Sequence, residues 1–155
     1  MTKKDLHREM SNAMHIWSVS GNTWGCSLRE ACLPVCMGTI EHLKSLDANA
    51  CIVIGDIAES PLKKEHVSKI KNYPFNEGKL DFEYHAWFEL GNGDILDLTG
   101  AKWLEFTYGI KNLAETLDRN SAKATGFDYF PVITSPQAVQ GFYEKLKKER
   151  GISDH

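Results

Sequence analysis

The sequence has no apolar run long enough to cross a membrane and no excess of charge of either sign. Eighteen Lys and Arg stand against 21 Asp and Glu in 155 residues, a net charge of −3 with His neutral. That balance excludes binding to nucleic acid or to an anionic membrane by bulk positive charge. With 5 Pro and 12 Gly the chain is too poor in both to be low-complexity, and it has no internal repeat, Ser/Pro linker or charge block. Residues 1–155 are therefore read as one domain, which at this size buries roughly two-thirds of its unfolded surface and holds a core without disulfides or a structural metal. The first residues contain no apolar stretch of the length a secretory signal needs, so the expected compartment is the reducing cytoplasm.

Four cysteines then need another explanation. Cys26, Cys32, Cys36 and Cys51 would serve in such a compartment as core residues, metal ligands or a nucleophile. Cys32 and Cys36 have i, i+4 spacing, but two thiols without a second ligand pair do not make a zinc site. No metal and no cofactor are expected.

Residues 3–17 read as a polar, weakly amphipathic helix with His7 and His15 on its surface, followed by a Ser/Gly/Asn/Thr loop over 18–25. Leu28, Cys32, Val35, Cys36, Ile40 and Leu43 recur at three- and four-residue spacing, the stripe of a buried helix that Pro34 should kink. Residues 48–57 predict a buried strand, with Cys51 in the core. Residues 59–78 are polar and Lys-rich, with room for a helical turn or two between Pro61 and Pro74. His42 and His66 lie in Lys-rich helical stretches and His155 at the end of the chain, so all three are expected to be solvated. A helix is expected near 112–117, a strand over 129–133, and a last helix with Ser135 as N-cap, Pro136 at its first position and Val139, Phe142 and Leu146 inward. The class is α+β.

Residues 79–99 predict a β-hairpin around Gly91-Asn92-Gly93. On its first strand His85 alternates onto the same face as Glu83, Trp87 and Glu89. A two- or four-residue loop would set Asp97 opposite Phe88. A three-residue loop pairs Phe88 with Leu96 and Trp87 with Asp97, and requires a left-handed residue that Gly93 supplies. Asp97 is then diagonal to His85 on one face, about 7–8 Å away at Cα and within reach of a side-chain hydrogen bond.

A carboxylate beside an imidazole fixes its tautomer and favours its protonated form, as a general base serving a thiol requires. Cys26, between a Gly-rich loop and the start of the stripe helix, is placed to feel the positive end of the helix dipole. Cys32 and Cys36 should point into the core, although Pro34 could instead mark the helix start and shift the nucleophile towards them.

Gly25-Cys26 at the head of a helix, the strand Cys51-Ile52-Val53-Ile54-Gly55, His85-Ala86-Trp87 and Asp97-Leu98-Thr99 together resemble the papain-like cysteine hydrolase and acyltransferase superfamily, in particular its transglutaminase-like branch. Leu98 stands where that branch usually has Pro. The resemblance implies a nucleophile helix packed on an antiparallel sheet and a Cys26–His85–Asp97 triad, with Asn22 and Thr23 as oxyanion candidates and Trp87 as a cleft wall. It further implies hydrolysis or acyl transfer on an amide or thioester of a peptide, a protein or a small molecule; the charge balance and the short apolar runs lead to the expectation of no nucleic acid and no membrane as partners. The alternative is a catalytically inactive papain-like binding module.

Overall fold

In the computed structural model, which describes residues 1–19, 31–73 and 84–150, helices pack on both faces of a four-stranded sheet. The elements in chain order are α1 (Lys3–Val19), α2 (Cys32–Leu46), β1 (Cys51–Ala58), α3 (Lys64–Lys71), β2 (His85–Glu89), β3 (Ile95–Leu96), α4 (Gly100–Tyr108), α5 (Arg119–Lys123), β4 (Asp128–Ile133) and α6 (Pro136–Arg150). The strands form one antiparallel sheet in the order β3-β2-β1-β4. The class is α+β.

Both faces of the sheet are covered. Ile52, Ile54, Ala86, Phe88, Leu96 and Ile133 pack under α1, α2 and α6, with α2 lying on β1 and β2 and α1 lying on α2. Val53, Ile57, Trp87, Ile95 and Tyr129 pack on the other face under Ala101, Trp103 and Leu104 of α4, Leu117, and Ala122 of α5. The six central residues of β1 are therefore buried without alternation, as expected for a strand enclosed on both sides. The same enclosure corrects the picture of His85 on a polar face. In β2 only Glu89 is exposed.

The hairpin has the register its alternation requires. Phe88 pairs with Leu96 and Glu89 with Ile95, Leu90 N–H donates to Asp94 O at 2.8 Å and Gly93 N–H to Leu90 O at 2.9 Å. Gly93 has φ +86°. The ladder ends at Leu96, however, and Asp97 turns away to exchange two 2.9 Å backbone hydrogen bonds with Leu117, so the expected Trp87–Asp97 ladder pair does not form.

Two helix expectations change. Helix α2 starts at Cys32, and its first backbone bond runs from Val35 N–H to Ala31 O at 2.8 Å. Pro34 thus precedes the first nitrogen that must donate, and nothing in the helix requires a kink there. The segment 112–117 is not helical. Asn112 has φ +65°, and the helix forms after it, where Asp118 and Ser121 make a reciprocal capping box. At the other end, α6 begins as expected, with Ser135 Oγ accepting Ala138 N–H at 3.2 Å and Val139, Phe142 and Leu146 buried. The start of α1 is tied down by Lys3, whose ammonium pairs with Asp94 at 3.2 Å and with Asp118.

Gly55 sits where β1 meets two neighbours, paired with His85 on one side and with Pro131, at a β-bulge, on the other. A Cβ there would collide with the backbone carbonyl of Phe130. Gly55→Ala should cost roughly 1–3 kcal/mol by overpacking against an unyielding backbone, and urea unfolding would check it; an unchanged midpoint would contradict the close approach.

Candidate functional site

The site is organised by Asp97, which is wholly buried. Leaving the ladder after Leu96 folds the chain back so that Asp97 Oδ1 accepts the backbone N–H groups of Thr99 at 3.1 Å and Gly100 at 2.9 Å. These donors lie at the head of α4, and the carboxylate stands in for the side-chain cap that Thr99 does not make. A Cβ on Gly100 would strike the carboxylate, so this residue must be glycine for the two to approach. Oδ2 accepts from His85 Nε2–H and from the Tyr129 hydroxyl, each at 2.8 Å. Four donors thus satisfy one buried carboxylate.

His85 is likewise fully buried. Its ring lies 6.1 Å from that of Trp87 with a 24° interplanar angle, and 5.9 Å from that of Trp103 at 42°. The two indoles leave the imidazole little freedom. Burial pushes its pKa down, but the charge and hydrogen bond of Asp97, with a further contribution from Cys32, outweigh that and raise it to about 10. The ring is therefore an imidazolium at neutral pH. Its Nε2 is held by Asp97, and Nδ1 makes no hydrogen bond of good geometry among the described residues. The Cys32 thiol acts on the ring as a close neighbour rather than an aligned partner.

Cys32 is the first residue of α2 and wholly buried. It does point inward, as expected, but towards His85 rather than only into apolar core. Cys36, one turn later and 2% exposed, is pushed well above the ordinary thiol range by burial and then by the charges of Cys32 and Asp97. Cys51 is half-buried at the start of β1 and raised by burial and by Glu89. Both are held as neutral thiols. Cys26, Asn22 and Thr23 lie outside the described residues, and so does His155. Trp87 is 1% exposed, and its ring packs between His85 and Tyr129, 5.0 Å from the latter. It is a wall behind the imidazole, not the side of an open cleft.

The other histidines are tied elsewhere. His7, expected on the surface, is half-buried with Nδ1 2.8 Å from Thr116 Oγ1, and burial lowers its pKa. His15 pairs with Glu115, His42 with Glu9 at 3.0 Å, and His66, expected to be solvated, with the buried Asp56 at 3.0 Å. Among the described residues no group of three or more His, Cys, Asp or Glu side chains could hold a metal ion, and no helix is long and apolar enough to cross a membrane.

The residues missing from the sequence reading are Tyr129, Trp103 and Gly100. Nothing local marks the first two: strand β4 brings Tyr129 to Asp97 from 32 residues away, and the turn at Asp97 into α4 lays Trp103 against His85. Gly100 could have been found as a small residue following Asp97-Leu98-Thr99. Compared with known proteins, the chain matches no family model, no curated protein and no solved structure.

Because the His85 pKa is raised above its ordinary value of 6.5, the stability it contributes should be fully present below that value and fade as pH rises through about 10. Nitrogen NMR of the ring between pH 5 and 11 should show both nitrogens protonated across neutrality, and a transition near 6.5 would refute the coupling to Asp97.

Proposed function

We propose that the protein is a cysteine hydrolase or acyltransferase acting on an amide or thioester, with Cys32 as nucleophile, His85 as general acid and base, and Asp97 as the group that orients His85. The observation that carries this reading is the placement of Cys32, at the head of a helix, beside an imidazolium whose far nitrogen is fixed by a buried carboxylate. Nucleophile, base and orienter in that sequence of contacts are what thiol-based acyl transfer requires. Among the described cysteines it is Cys32 whose thiol neighbours the ring, and this reading gives it the role expected of Cys26.

The same residues support a papain-like fold of the transglutaminase-like kind. A cysteine heads helix α2, strand β1 follows, and His85 on β2 precedes Asp97, the order in which that branch carries its triad.

The steps follow from the charges. Cys32 as thiolate attacks the carbonyl carbon, and the oxyanion meets backbone N–H groups at the head of α2, which no helix bond uses. The imidazolium passes its Nδ1 proton to the leaving amine or thiol as the C–N or C–S bond breaks. The neutral imidazole then takes a proton from water or an amine, which attacks the acyl-enzyme and expels the thiolate. Asp97, its acceptor positions filled by four donors, keeps the ring oriented throughout.

One observation favours the second reading, a non-catalytic domain in which these residues are packing: Cys32, His85 and Asp97 are all 0% exposed. Limited iodoacetamide labelling at mildly acidic pH, read by mass spectrometry, separates the two. Cys32 should label first, and His85→Ala should slow it on the order of 10²-fold or more, the usual scale of acid–base support. Equal, slow labelling of all four cysteines would favour the binding module, and preferential labelling of Cys26 would return the role to that residue.

A further inference from the structure

Tyr129 donates to Asp97 Oδ2, the oxygen that already accepts from His85, at the same 2.8 Å. A buried phenol needs some acceptor, and a purely structural tyrosine would be served by any. Here the choice is constrained, because Oδ1 is filled by the N–H groups of Thr99 and Gly100 and Oδ2 must be shared. The arrangement is held from two sides. Tyr129 on β4 pairs with Ile57 on β1, two residues from Gly55, which itself pairs with His85 on β2. The Trp87 ring touches both the tyrosine and the imidazole. Burial, with the charge of Asp97 next, pushes the phenol well above its ordinary range, so it remains a donor at any working pH.

Sharing has a chemical consequence. An oxygen accepting two hydrogen bonds offers each donor less electron density than an oxygen accepting one. A general acid works best when its proton is not held far more tightly than the reaction can release it, and His85 is already strongly supported by a buried carboxylate.

We infer that Tyr129 is a positioning residue of this site: by donating to Asp97 Oδ2 it fixes the carboxylate and limits how firmly the Asp97–His85 pair retains the imidazole proton. The inference rests on the proposed cysteine chemistry and adds a fourth residue to it. The titratable groups acting on the pair are Cys32 from α2 and Tyr129 itself from β4; Cys36 lies close by on α2, and Asp118 and Asp128 act on the phenol from further away.

The test is Tyr129→Phe in the full chain, with three readouts. The His85 Nε2–H proton resonance should move downfield, the ring should titrate at higher pH than in wild type, and acylation of Cys32 by a p-nitroanilide, whose amine must be protonated to leave, should slow roughly tenfold, the lower end for losing an outer hydrogen-bond partner, in kcat rather than KM. A lower melting temperature with none of these changes would reduce Tyr129 to packing and overturn the inference. If Tyr129→Phe does not fold, 3-fluorotyrosine at position 129 keeps ring and hydroxyl while strengthening the donor, and should move the Nε2–H resonance upfield; an unmoved resonance would equally overturn it. The two ideas fail separately. A wild-type protein in which Cys32 labels no faster than the other cysteines, and indifferently to His85→Ala, refutes the enzyme reading, whereas a coupled wild type with Tyr129→Phe indistinguishable from it refutes only the role of Tyr129.

Discussion

A single carboxylate, buried where no water can solvate it, constrains much of this molecule. Placing Asp97 in the interior is costly unless its charge is answered, and four donors from four places answer it: Thr99 and Gly100 at the head of α4, His85 on β2 and Tyr129 on β4. Each donor fixes something beyond itself. The two backbone donors start α4, the imidazole fixes the position of β2 relative to the segment after β3, and the phenol draws the far strand of the sheet into the same network. Remove the carboxylate and a buried imidazole, a buried phenol and the head of a helix lose their partner together.

How much of this was legible in the sequence differs by residue. The register of the hairpin could be read because side-chain alternation has a period of two, so a shift of one residue would have put Phe88 opposite Asp97 instead of Leu96. That Gly93 would be left-handed followed from the loop length alone. The burial of His85 could not be read, since Glu83 and Glu89 on the same side suggested a wet face; α4 and α5, which dry it, come from residues 100–123, whose fold depends on the Asp97 turn and the Asp118–Ser121 cap. The start of α2 at Cys32 was legible only through Pro34. A proline in the first helical turn gives up nothing, whereas the same proline inside a longer helix would have broken a bond, and the periodic stripe beginning at Leu28 favoured the longer helix.

The enclosure of the sheet bears on chemistry as well as stability. His85 sits between two indoles beneath α4, and in such surroundings a charge interacts more strongly with its few neighbours than it would in water. This is why a carboxylate can hold the imidazole proton well beyond the ordinary histidine range although burial alone pushes the other way. His7, half-buried without a carboxylate on its ring, moves in the opposite direction. The contrast within one chain shows the partner, not the burial, deciding the sign.

Lys3 lies far from this interior yet supports it from outside. Its ammonium joins Asp94, three residues before Asp97, to Asp118, the neighbour of the Leu117 that bridges Asp97. The carboxyl of Asp118 is pulled to about 2, burial opposing and Lys3 and Ser121 prevailing, so acid does not discharge the Lys3–Asp118 arm of this clasp until it has protonated most ordinary carboxyls. Ionic strength acts differently. The clasp is half in solvent and open to screening, whereas the Asp97 network is sealed from mobile ions. Salt therefore loosens the outer tie of the first helix while leaving the inner one intact, and the two kinds of electrostatic support in this fold answer to different solution conditions.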